Sequence, residues 1–303
     1  MERQVSLLAI IRVPMDQITI QAGVDAAQPG DVVLVLRGIY KEAVVVSKSF
    51  IRIVAEDKGE AILEGRGLLA NGFLLHNVTD VEICGFKIQN YILNGIFVMD
   101  GGYHRLLENC CESNGLHGIG LVSKSNLVWK NMLRQNSYAG TAIDGNDNWL
   151  IDNQITGNHT DGIFLLAGSH NSLLSNIILR SVHSAGLSLQ GSNTLIYENE
   201  FKNNLQGIVI YTESDISASD IMDNNEIVNN SAQGIVWVHK DSKGDEQELP
   251  LSPSEDKLLQ YISCVKELLE LAEQTLDQIP ERQLHSHIMN IVLIKQYVQK
   301  LSL

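Results

Sequence analysis

Three hundred and three residues, 44% hydrophobic, with 24 glycines and 4 cysteines, describe a soluble chain long enough for one large or two small domains. Its net charge of −14 repels nucleic acid and acidic lipid, so neither is expected as a partner. No apolar run reaches the ~18 residues of a membrane span. The cysteines, Cys110 and Cys111 adjacent, Cys84 and Cys264 isolated, have neither disulfide nor metal-ligand spacing, and no metal or cofactor is expected.

In chain order, the first element is an apolar run, Leu7 to Ile11, cut by Arg12 and followed by no small-residue cleavage site. It reads as the first strand, which leaves a chain that is cytoplasmic, exported by a non-classical route, or already trimmed. From residue 71 the asparagines take over: 23 of the 24 lie between Asn71 and Asn230. The same stretch writes one motif seven times, from Asn-Gly-Ile-Phe-Val (94–98) to Gln-Gly-Ile-Val-Trp (233–237), with glycines at 95, 118, 140, 162, 186, 207 and 234. A second ladder keeps the same beat through Asn109, Asn131, Asn153, Asn176, Asn199 and Asn225.

A period near 22 residues with short alternating runs marks a β-solenoid. Positions +1 and +3 after each glycine are apolar and predicted to point inward, stacked at the ~4.8 Å spacing of neighbouring strands. The ladder asparagines are expected at the corners, adopting the left-handed conformation there and hydrogen-bonding along the column, with Gly85 in the equivalent place one coil earlier.

This pattern resembles the right-handed parallel β-helix repeat family, the pectin-lyase-like architecture. The resemblance reaches the N-terminal cap, where Ile18 to Glu42 looks like that family's opening: a short helix over the open end of the core, then Pro29-Gly30-Asp31 and a coil strand. The expected fold is all-β, a right-handed parallel β-helix of about nine coils over residues 1–240. Residues 241–253 read as a charged linker and 254–303 as an α-helical hairpin. Its first helix carries Leu258, Tyr261, Ile262, Val265, Leu268, Leu269, Ala272 and Leu276 at helical spacing. Its second, about Glu281 to Leu301, presents Leu284, Ile288, Ile291, Val292, Val298 and Leu301.

Positions +2 and +4 after the repeat glycines face outward. They include Phe97, Met99, Val122, Asp144, Phe164, Leu166, Tyr211 and Val238, and none of the fourteen is Lys or Arg. In pectate-lyase-like enzymes this sheet floors a saccharide groove, and β-elimination on a uronate requires a strong base and cations, which this face lacks. So apolar a surface is expected to be a contact, covered by the chain's own hairpin or by a second protomer. Sugar stacking on Phe97, Phe164 and Tyr211 is a further option.

The remaining catalytic candidates are His117, His159, Asp161 and His183 on the leading edge of the strand, with His159 and His183 on neighbouring coils. A further polar line follows the strand: His104, Asn126, Asn148, His170 and Asn193. Asp144 to Asn148 alternates oxygen ligands as a calcium loop does but lacks the later Glu. The insertion before Gly234, residues 212–220, is expected to loop out. These residues favour a non-enzymatic binding or structural solenoid that assembles with itself through the apolar face and the hairpin. The alternative is a polysaccharide-processing enzyme, lyase, epimerase or hydrolase, with the glycan laid along the β-helix.

Overall fold

Eight coils, from the one beginning at Val32–Val35 to the one ending at Gln206–Ile210, each give one short strand to three parallel sheets, and among the described residues each sheet is nine strands deep. The computed structural model describes residues 8–211, 218–238 and 253–301. Within one coil, Glu82–Cys84 lies in the first sheet, Lys87–Gln89 in the second and Ile96–Gly102 in the third. The next coil repeats this with Arg105–Leu107, Cys110–Glu112 and Ile119–Lys124, each paired in parallel with its counterpart.

The repeat glycine opens the third-sheet strand, and its reason is space. A Cβ on Gly95, Gly118, Gly140, Gly162 or Gly186 would lie 2.6 to 2.8 Å from the carbonyl oxygen of the glycine one coil on. At Gly162 it would also meet Ile178 Cγ2 at 2.2 Å. Gly162→Ala therefore forces two coils apart, at a cost of about 1–3 kcal/mol. Urea denaturation should show a lower midpoint, and an unchanged midpoint contradicts this packing. The two residues that alternate inward after the glycine, such as Ile163 with Leu165 and Leu187 with Leu189, are fully buried in one continuous core.

At the corners the expected stacking holds, but the backbone assignment shifts by one residue. The ladder asparagines are not left-handed; the residue before the first five of the six is, at Glu108, Lys130, Asp152, Ser175 and Glu198. Gly85, with φ +82°, belongs to that left-handed column. Asn109, Asn131, Asn153, Asn176 and Asn199 are buried, and Asn225 is half-buried. Asn131 Oδ1 accepts from the backbone N–H (2.9 Å) and Nδ2 (3.2 Å) of Asn109, while Asn131 Nδ2 donates to Leu106 O at 2.8 Å. Each amide so satisfies a corner that would otherwise bury unpaired backbone groups. Two more columns do the same at the other corners: Asn114, Asn136 and Asn158, and His104, Asn126, Asn148 and Asn171.

Helix α1 (Ile20–Ala26) covers the first coils, capped by Thr19 Oγ1, which accepts from Ala22 N–H at 3.0 Å. The first strand is Ile10–Val13, two to three residues later than the apolar run suggests, and Leu7 lies outside the described residues. In the 27-residue interval between Gly207 and Gly234, helix α2 (Ala218–Asn224) lies against the last first-sheet strand, Leu195–Tyr197, and inserts Ile221 into the core. The part of the expected outward loop at 212–217 lies outside the described residues, as does the linker at 239–252.

Helix α3 (Pro253–Gln274), a 3-10 turn (Leu276–Gln278) and helix α4 (Glu281–Leu301) form the hairpin. Its apolar stripe lies on the outer face of the third sheet. Leu74, Phe97, Phe164 and Leu166 share a second buried cluster with Tyr261, Val265, Ile294 and Tyr297. On α3 the expected face is the buried one. On α4 it is rotated: Ile288 and Val292 are exposed, and the buried side chains include the polar Gln283, His287 and Asn290.

Candidate functional site

The third sheet's outer face is closed from within the chain. Phe97, Met99, Phe164 and Leu166 are buried, and half-buried Val122 packs against the hairpin. Polar contacts fix the cover in register. His287 Nδ1 accepts from Ala70 N–H (3.2 Å), Asn71 Nδ2 donates to Asn290 Oδ1 (2.7 Å), and Tyr297 Oη donates to Asp144 Oδ2 (3.3 Å). Burial raises the Asp144 carboxyl above its ordinary value. A void of about 10 Å³ lined by Phe97, His117, Asp144, Tyr261 and Tyr297 is too small for a sugar ring.

Near the start of α3, Tyr211 and Val238 at the end of the third sheet are half-buried. At this junction sits the residue that the sequence reading lacks. Lys257, on the first turns of α3, places its ammonium 2.9 Å from Asp161 Oδ2 and 3.0 Å from Oδ1. It also lies 3.1 Å from Ser184 Oγ, 5.0 Å from the centre of the Phe164 ring and 5.7 Å from that of Tyr211. Asp161 has no exposed surface. Its Oδ1 accepts from Ser184 Oγ (2.7 Å), Ser188 Oγ (2.6 Å) and Ala185 N–H (3.2 Å). Burial, with the Asp161 charge nearby, pushes the Tyr211 phenol up to about 12. The absence of cations from the sheet itself is thus made good by a helix that arrives 96 residues later in sequence.

His159 and His183 are neighbours, as their register implies. His183 N–H donates to His159 O at 2.9 Å, and the two exposed rings lie 4.4 Å apart, edge to face. His117 belongs elsewhere. It is buried under α3, stacked on Tyr261 at 5.6 Å, and burial lowers its pKa to about 3. It is therefore a neutral interface group, not a partner in solvent-side proton transfer.

The polar line through His104, Asn126 and Asn148 is a corner ladder that continues into Asn171, while His170 and Asn193 are outward, left-handed residues one position away. The stretch from Asp144 to Asn148 does not converge on a cation. Asp144 faces Tyr297, Asn146 Oδ1 accepts from Ser169 N–H at 2.8 Å, and Asn148 stacks in the ladder.

A family model described as periplasmic copper-binding protein (NosD) matches residues 67–217. Among the described residues no group of three or more histidine, cysteine, aspartate or glutamate side chains could hold a metal ion. No curated protein matches the chain. Several solved structures resemble it, among them the following two. An alginate lyase from Paenibacillus sp. is 12% identical with a TM-score of 0.57, covering 72% of this chain and 96% of its own. The A-module of a mannuronan C-5 epimerase from Azotobacter vinelandii is 14% identical with a TM-score of 0.51, covering 72% and 74%. No described helix is long and apolar enough to cross a membrane. Three stacked parallel sheets, asparagine corners and these structural likenesses lead to one statement of fold: the chain is a right-handed parallel β-helix.

Proposed function

We propose that the protein processes a polysaccharide at the junction where helix α3 meets the third sheet. The observation that carries this reading is Lys257, held on buried Asp161 beside the rings of Phe164 and Tyr211. It gives the sheet the cation that a developing negative charge on a sugar requires. In this reading Tyr211, protonated at neutral pH, donates a proton and the exposed His159 and His183 accept one. The fold relatives named as an alginate lyase and a mannuronan epimerase lend support to a polysaccharide substrate. In this reading the hairpin is the wall of a short groove, not an occupant to be expelled.

The test is turnover on a panel of uronate and neutral polysaccharides, followed by absorbance of unsaturated ends, by reducing ends and by NMR of inverted C5 centres. Full-length protein should turn over at least one polymer, and Lys257→Met should lower kcat at least ~100-fold, within the range expected for one charge-stabilising group. No turnover on any polymer, or a Lys257→Met rate equal to that of the parent, removes the enzyme.

A second reading keeps the non-enzymatic solenoid. It is favoured by the ~10 Å³ void left under the hairpin and by the polar contacts that lock the cover in place. Here Lys257 and Asp161 act as a clasp alone, and the rates above would be zero throughout.

A further inference from the structure

We infer that His159 and His183 form a two-imidazole chelating site for a divalent transition-metal ion, of the nickel(II) and copper(II) class that takes nitrogen ligands at right angles. The pair stands on its own geometry, whether or not the neighbouring groove turns over a sugar. Backbone stacking sets it in place. His159 N–H donates to Asn136 O at 3.0 Å, Val182 N–H to Asn158 O at 3.1 Å and His183 N–H to His159 O at 2.9 Å, so both residues ride on a corner tied to its neighbouring coils. Their rings are exposed and lie 4.4 Å apart, centre to centre, with planes at 71°. Among the described residues neither ring makes a hydrogen bond or an ion pair, which leaves the ring nitrogens open to a ligand.

The chemistry and the spacing select the ion. Imidazole nitrogen suits copper, nickel and zinc, whereas magnesium and calcium take oxygen. A metal–nitrogen bond of about 2.0 Å, with about 1.2 Å more from nitrogen to ring centre, puts each ring about 3.2 Å from a shared ion. Two such rings stand about 4.5 Å apart at a right angle and about 5.2 Å apart at the tetrahedral angle. The observed 4.4 Å fits the right angle, so the pair suits square-planar or tetragonal ions better than tetrahedral zinc. Aiming both nitrogens at one point takes only a turn about χ2, a soft torsion in histidine, which two exposed rings can make.

Two imidazoles leave the other coordination positions to water. Among the described residues no third histidine, cysteine or carboxylate joins them, and Asp161, two residues beyond His159, is committed to Lys257. The site is therefore an open one, able to take a further ligand from solution. The chain's net charge of −14 raises the local concentration of cations. An ion held here also occupies the two imidazoles that the sugar-processing reading uses as proton acceptors, so in that reading the metal-bound form is the inactive one.

The experiment is calorimetric titration of full-length protein with nickel chloride, with magnesium chloride as the control, and electron paramagnetic resonance of the protein loaded with one equivalent of Cu2+. Wild type should bind Ni2+ and no Mg2+, and the copper spectrum should show two coordinated imidazole nitrogens. His159→Gln and His183→Gln should each weaken Ni2+ binding at least 10-fold, because a single imidazole loses the chelate. Both residues are exposed, so neither substitution opens the core. His170→Gln, which removes a solitary exposed histidine, should bind as wild type does. No Ni2+ uptake by wild type, or a copper spectrum with a single nitrogen, overturns the inference. So does equal affinity in wild type and both single variants, which marks adventitious uptake by separate histidines. The readout is binding alone, so its failure is distinct from a failure to turn over any polysaccharide.

Discussion

Asp161→Ala should loosen the hairpin from the β-helix by about 3–5 kcal/mol, the usual cost of removing one partner of a buried ion pair. Lys257 is 12% exposed and, among the described residues, bonds no second carboxylate; the hydroxyls of Ser184 and Ser188 that remain do not balance its charge. The ammonium can regain water only by drawing the first turns of α3 off Phe164. Amide hydrogen exchange along α3 and α4 reports this directly, with faster exchange expected there and little change in the first coils. The double variant Asp161→Leu with Lys257→Met should recover most of the loss, because an apolar pair of similar volume replaces the charges without a buried orphan. Equal exchange in Asp161→Ala and wild type would mean that the apolar cluster alone holds the hairpin.

That clasp shows where sequence legibility stops. The coil period, the inward pairs and the stacked corners were readable because they repeat locally, and each repeat confirms the last. The corner columns were readable for a side-chain reason: Asn131 and its kind are fixed by two-way hydrogen bonds in a buried slot, so the residue type recurs. The left-handed residue before each is outward and solvated, so Glu, Lys, Asp and Ser all serve there and leave no pattern. The α4 face was misread because its inward residues include polar ones. His287 and Asn290 bond the sheet edge, and a search for apolar spacing selects Ile288 and Val292 instead. Asn290 is the one asparagine outside the repeat region, and it caps a short stack in which Asn71 Oδ1 accepts from Asn94. Lys257 left no local signal at all, since nothing in a 22-residue period reports which coil a distant helix will reach.

Acidification should undock the same hairpin by a different route. Burial holds His117 near about 3 and His104 near about 4, against an ordinary 6.5. The folded state thus binds fewer protons than the unfolded one. Each group's contribution is intact above pH ~6.5 and drains away as pH falls towards the folded value. At pH 5 the loss is about 2 kcal/mol for each histidine, since each pH unit below the unfolded pKa costs ~1.36 kcal/mol. The two act on different parts of the molecule. His117 is covered by Tyr261 of α3, so lifting the hairpin is enough to hydrate it, whereas His104 sits inside a corner and requires a coil to open. His287, also lowered by burial, lies on α4 and adds to the first effect. Asp144 has the opposite sign: burial raises its carboxyl, so its protonation at the acid end favours the docked hairpin, one group against two interface histidines. Protection factors of the hairpin amides, corrected for the slower intrinsic exchange in acid, should therefore be lower at pH 5 than at pH 7.5, before the coils lose protection. In His117→Gln this pH dependence should shrink by about 2 kcal/mol. An identical slope in variant and wild type would assign the acid response to His287 or to the coil corners, and take His117 out of it.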